Sequence, residues 1–185
     1  MNRRAFSLIE LLVVVAIVAM LATLAAGAFG SVTQANKIGQ AGESLLDGIE
    51  AARQLAAVSG RTTELRILKK SGDTHYTGLQ VWFASPEEHA ARRIALPESV
   101  VLIDDSTLSP WLANMSAGTV SIGGAAMAYR AFKVRPSGAI EPAPLDPNSL
   151  YLTVAAAQSP AGSTPANFAT VQVNPNTGRP LLYRP

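Results

Sequence analysis

From Leu11 to Gly30 every residue is apolar or small except Thr23, and a single acid, Glu10, stands at the edge of that run. About 20 residues at about 1.5 Å rise span a bilayer core of roughly 30 Å, so the pattern predicts a transmembrane helix over residues 6–30. Ten residues between Leu11 and Phe29 are Leu, Ile, Val or Phe. Each favours insertion by about 0.3–0.6 kcal/mol, against a cost of about 2.5–3.5 kcal/mol for an acid at mid-bilayer, so insertion wins. An ionisable group in such a segment is functional by default and needs a partner. Beyond it, Ile38, Ala41, Leu45, Ile49, Ala52 and Leu55 recur at three- and four-residue steps, with Lys37, Glu43, Asp47, Glu50 and Arg53 on other faces. This predicts an amphipathic continuation over 31–60, stopped by Gly60 and packed on a globular domain. The result is one helix from Phe6 to about Ser59. Gly27, Gly30, Gly39, Gly42 and Gly48 each weaken it by about 1 kcal/mol relative to Ala, so bending or local melting is expected between Gly27 and Gly42.

From Thr62 the period becomes two. Thr63–Leu68 and Tyr76–Phe83 flank Lys70-Ser71-Gly72-Asp73 as a hairpin. Further strands are expected at Val100–Ile103, Thr119–Ile122, Tyr129–Arg135, Leu150–Ala155, Phe168–Val173 and Leu181–Arg184, with a short helical turn in Ser85–Ala91. None of the 12 prolines precedes Pro86, which leaves the first third free to be helix. The fold class is α+β: a long N-terminal helix on an antiparallel β-rich domain over 61–185, arranged as a sandwich or a curved sheet.

The first residues sharpen this picture. After Arg3-Arg4, the run Ala5-Phe6-Ser7-Leu8-Ile9-Glu10-Leu11 resembles the processing and methylation signal of type IV prepilins and type II secretion pseudopilins. The resemblance implies a leader over residues 1–5, cleavage after Ala5 by a prepilin peptidase and methyltransferase, a methylated amine on Phe6, and Glu10 as the subunit-alignment carboxylate. Ala5 stands where that signal usually has Gly. Independently of any family, removing the leader would expose a cationic amine on Phe6, which a carboxylate buried in a neighbouring copy can accept. The alternative is that Glu10 sits hydrated at headgroup depth. Phe132-Lys133-Val134-Arg135-Pro136-Ser137-Gly138 and Val171-Gln172-Val173-Asn174-Pro175-Asn176-Thr177-Gly178-Arg179 are similar to the strand–turn and terminal hairpin of the minor-pseudopilin H and FimT-like branch, and Verru_Chthon cassette proteins share this pilin-like type. Pro-Ser-Gly and Asn-Thr-Gly also make tight turns by their own chemistry.

Charge changes the picture little. The 185-residue chain carries a formal +2 with a pI near 9.2. Removing Arg3 and Arg4 with the leader takes Lys plus Arg from 15 to 13, against 13 acids. A neutral mature chain has no general electrostatic affinity for nucleic acid. The two arginines before the apolar run place the N-terminus in the cytoplasm and the C-terminal domain outside, as a single-pass inner-membrane protein. Ala26-Gly27-Ala28 would suit signal-peptide cleavage, but the apolar run of about 20 exceeds the usual 7–15. With no cysteine, no disulfide staples the domain.

Catalytic and ligand constellations are sparse. His75 and His89 have no spaced ligand partner and are expected in solvent. Asp104-Asp105 is expected as a solvated pair at a loop end, because a calcium cage needs six or more oxygens. No phosphate-binding loop or nucleophile elbow occurs, so neither cofactor nor enzymatic activity is expected. Gly178-Arg179, with Arg184 as the only nearby second cation, resembles part of a DNA-uptake motif and implies at most weak phosphate contact. The expected role is a filament subunit of a pseudopilus for protein secretion or of a type IV pilus, partnered by other pilin-like subunits, the peptidase and an assembly platform. The alternatives are a DNA-uptake minor pilin and a plain membrane-anchored β-domain.

Overall fold

The computed structural model describes residues 8–142, 146–159 and 163–185, without the side chains of 24–29 and 147. The chain divides into two units, Met1–Asn36 and Lys37–Pro185. One helix, α1, covers Leu8–Ser59 and so contributes to both. In the first unit, the side chains from Leu8 to Thr23 are all exposed. The hydroxyl of Thr23, the polar exception in the apolar run, donates to the Met20 carbonyl at 2.8 Å and is satisfied within the helix itself.

Among the described residues eleven strands follow α1: β1 Thr63–Lys70, β2 Gly78–Ala84, β3 Glu87–His89, β4 Ile94–Ala95, β5 Val100–Leu102, β6 Ser116–Ile122, β7 Ala125–Val134, β8 Ile140–Glu141, β9 Tyr151–Ala156, β10 Phe168–Val173 and β11 Pro180–Tyr183, with a short helix α2 at Pro110–Asn114. They form two antiparallel sheets. The larger has the order β3-β2-β1-β7-β6, with β4 also on β2 and β8 on β7, and the smaller is β11-β10-β9-β5. The expected hairpin is β1–β2, in the register Leu65↔Val81 and Ile67↔Leu79.

The core forms where the apolar stripe of α1 meets both sheets. Ile38, Leu45 and Ile49 are buried with Leu65, Ile67, Leu79, Phe132, Leu152 and Val171. Trp111 of α2 stacks on Phe132 with ring centroids 4.2 Å apart. The expected melting between Gly27 and Gly42 does not occur, since α1 is continuous through it. At Gly42 a Cβ would stand 2.9 Å from Leu182 Cδ1 and 3.0 Å from Ala169, and at Gly48 it would stand 3.3 Å from Leu79 Cδ1. These glycines let the sheets approach the helix, and that packing offsets their backbone cost.

One further local expectation is corrected. Ser85–Ala91 is not a helical turn, because β3 lies inside it and pairs with β2 through Trp82↔His89 and Ala84↔Glu87. Its anchors are distant in sequence: Glu88 pairs with Arg61 at 2.6 Å and Glu87 with Arg66 at 2.7 Å. The segment before α2 is irregular and is tied to β9, where the Thr153 N–H donates to Ser109 Oγ at 3.0 Å.

Candidate functional site

The N-terminal segment concentrates exposed apolar surface. Among the described residues, every large exposed hydrophobic except Val58, Leu181 and Tyr183 lies before Lys37. Within this surface Glu10, exposed, shares a shallow groove with Ile9, Val13 and Val14. The spacing 10, 13 and 14 is that of one helical face, so the carboxylate projects from an aliphatic stripe. Ala5 and Phe6, the expected cleavage and methylation positions, lie outside the described residues. Among the described residues no helix is long and apolar enough to cross a membrane. The expected span includes residues 24–29, whose side chains are among those not described.

The two turn signatures, some 40 residues apart in the chain, meet. Gly138 has φ +88° and Gly178 φ +63°, conformations that favour glycine. A Cβ on Gly138 would stand 2.6 Å from the Thr177 carbonyl oxygen, and one on Gly178 would stand 2.6 Å from the Gly138 carbonyl oxygen. The Ile140 N–H donates to the Pro175 carbonyl at 3.0 Å, and Asn174 Oδ1 accepts from the N–H groups of Asn176 and Thr177 at 3.0 and 3.1 Å. The pair joins the larger sheet, through β7 and β8, to the β10–β11 hairpin. Gly178 also faces the Arg53 stem of α1. Arg53 Nε donates to Glu50 at 2.9 Å, and this bond holds the Glu50 carboxyl below its ordinary pKa against the opposing effect of burial, with help from Gln54 and the charge of Arg179.

A second polar cluster was not legible in the sequence. Arg66 is buried with its Nε on Glu64 at 2.6 Å and Nη2 on Glu87 at 2.7 Å, its guanidinium 4.1 Å from the Trp82 ring and 4.4 Å from Tyr129. Burial works to lower the Arg66 pKa, but the bonds to Glu64 and Glu87 outweigh it and hold the group above its ordinary value. Burial raises the Tyr129 hydroxyl. His89 is exposed as expected but not merely solvated: its ring lies 3.9 Å from that of Trp82, and its Nδ1 is 3.0 Å from Gln80 Nε2.

The remaining candidates are scattered. His75, Asp104 and Asp105 line one cavity of about 310 Å³ with Thr74, Val101 and Ser159. Asp105 Oδ1 is occupied by the N–H groups of Thr107 and Leu108 at 2.7 and 3.0 Å, and among the described residues no cluster of His, Asp and Glu is arranged to hold a metal. Arg179 and Arg184 flank opposite ends of β11, about 16 Å apart along an extended chain. Arg179 acts on Glu50, whereas the Arg184 guanidinium lies over Gly39 of α1. The structure does not gather them into one phosphate-binding patch.

Residues 1–26 match the family model of the prokaryotic N-terminal methylation motif, a stretch that takes in Ala5, Phe6 and Glu10. The fold is similar to that of the type IV minor pilin FimU of Pseudomonas aeruginosa strain PAO1, with TM-score 0.50 and 16% identity over 81% of this chain and 93% of that one. The fold is pilin-like. In these terms its helix-first, antiparallel-sheet order is the pilin arrangement, and the turn pair Gly138–Gly178 joins the two sheets of a pilin-like domain. No match to a curated protein was found.

Proposed function

We propose that this pilin-like protein is inserted in the inner membrane through residues 6–30, cleaved after Ala5, methylated on Phe6 and incorporated as a minor structural subunit of a pseudopilus or type IV pilus-like filament serving protein secretion. One observation carries the reading: the methylation-motif match opens an α1 segment whose apolar side chains from Leu8 to Leu21 are exposed around the single acid Glu10. Such a surface is costly in water and belongs against lipid or against other subunits. In the membrane the segment faces acyl chains. In a filament it faces copies of the same helix, and since lipid is as apolar as a neighbouring subunit, association rests on packing and on pairing of polar groups. Glu10 supplies that pairing by accepting the Phe6 amine of an adjacent subunit, which sets the register. The pilin-like domain presents the outer surface, and the mechanical work belongs to an assembly motor, so the chain acts as a structural part and not as a catalyst. Mass spectrometry of the mature N-terminus in cells with a prepilin peptidase tests this directly. The expected product begins at a methylated Phe6; an intact leader, or a start near Phe29 from ordinary signal-peptide cleavage, would contradict the reading.

A further inference from the structure

The strands that end the two sheets differ in how they discourage further pairing. A sheet edge is a template for another strand unless it is short, charged, interrupted by proline or covered. β3 has three residues, two of them acidic; β11 opens on Pro180 between Arg179 and Arg184; β5 has three residues and is bridged on its outer side, where the Leu102 N–H donates to the Tyr76 carbonyl at 3.1 Å. β6 has none of these devices. Its sequence Ser116-Ala117-Gly118-Thr119-Val120-Ser121-Ile122 carries no charge and no proline, its side chains are exposed or half-exposed on both faces, and among the described residues it pairs with β7 alone.

We propose that β6 is a self-pairing edge, and that its occupant is β6 of a second copy of this chain, antiparallel about a two-fold axis at Thr119. The charge pattern suits this occupant: of the edges compared, the acidic β3 would repel its own copy and β6 would not. Self-pairing sets residues of one strand against the same strand, so any charge near the centre would meet its own kind; a strand with none meets no repulsion. In the register that pairs all seven residues, Thr119 faces Thr119, Gly118 faces Val120, Ala117 faces Ser121 and Ser116 faces Ile122. The small residues let the backbones approach, and the two larger sheets become one. A seven-residue edge buries far less than a standard interface of about 1,600 Å², so the pair forms where anchoring in one membrane raises the effective concentration to the order of millimolar. A two-fold contact closes on itself, whereas a polar filament repeats head to tail. On the filament reading above, the dimer therefore holds subunits waiting in the membrane and is broken on incorporation.

Because the chain has no cysteine, single substitutions in the full-length protein report the contact cleanly in membranes. With Thr119→Cys, the two Cα atoms lie about 4.5–5.5 Å apart across the axis, inside the range of about 4.4–6.8 Å that a disulfide bridges, and mild oxidation gives a covalent dimer. With Ala117→Cys the copies of residue 117 sit four residues out of step, about 13 Å apart, and give none. Mixing Ala117→Cys with Ser121→Cys restores a crosslink between the two. All three sites are exposed, so folding is not at issue. Failure of Thr119→Cys to crosslink, or equal crosslinking by Ala117→Cys alone, overturns the proposal. Repeating the oxidation in cells lacking the prepilin peptidase separates it from the filament reading: with assembly blocked, the Thr119→Cys dimer persists, and its disappearance there would also overturn the proposal.

Discussion

The residues before Lys37 and those after it use apolar side chains in opposite ways. Leu8, Leu12 and Ile17 stand outward on α1, while Ile38, Leu45 and Ile49, a few turns later on the same helix, are buried against Leu65, Phe132 and Val171. Charge follows the same division. Arg66 is buried and answered within its own unit by Glu64 and Glu87, whereas Glu10 projects from an exposed aliphatic stripe. The Lys37–Pro185 unit buries its apolar stripe among its own residues; on the proposed filament reading, the exposed surface of the earlier segment is complemented by another subunit. One helix is thus core at one end and exposed at the other, following its two sequence patterns, and glycine shows which is which. A Cβ at Gly42 collides with Leu182 and Ala169, and one at Gly30 meets nothing within 4 Å.

Substitutions in the folded unit should be expensive, and matching ones in the exposed segment should not. Arg66→Ala leaves the buried Glu64 without its cation and releases the exposed Glu87, and should lower unfolding stability by about 3–5 kcal/mol, read by denaturant titration of the full chain in detergent. A loss below about 0.5 kcal/mol, the range of an ordinary surface change, would mean that the cluster is not buried in solution. Gly42→Leu should cost about 1–3 kcal/mol through overpacking, whereas Gly30→Leu, with open space around it, should cost nothing and gain up to about 1 kcal/mol of helix propensity. If the two glycine variants cost the same, the contrast between the regions fails.

Much of this division was legible from periodicity. The change from an unbroken apolar run to a stripe at three- and four-residue steps marked the two parts of α1, and period two located β1, β2 and β10, the last with its observed bounds. What was lost was lost for physical reasons. α2, at five residues, is too short to show a helical period. β3 reads as a polar turn because Arg61, Arg66 and Trp82, which hold it, lie on other strands and loops. Gly42 reads as a weakness because sequence shows its backbone cost and not Leu182, 140 positions later. Glu64 and Arg66 alternate with apolar residues like an ordinary solvated strand face, and nothing local reveals that Trp82 and Tyr129 cover the Arg66 guanidinium. Arg179 and Arg184 were grouped by proximity in the chain, yet they bracket a strand and stand apart. Glu10 was the opposite case, since a lone acid in an apolar run is visible without any tertiary information.

The central claim, that the exposed segment is completed by neighbouring subunits, is tested most directly by Glu10→Ala in cells with a working assembly system, comparing the protein in membranes with that in sheared filaments. The account predicts normal membrane insertion and loss of the subunit from filaments. Wild-type incorporation of Glu10→Ala would contradict it.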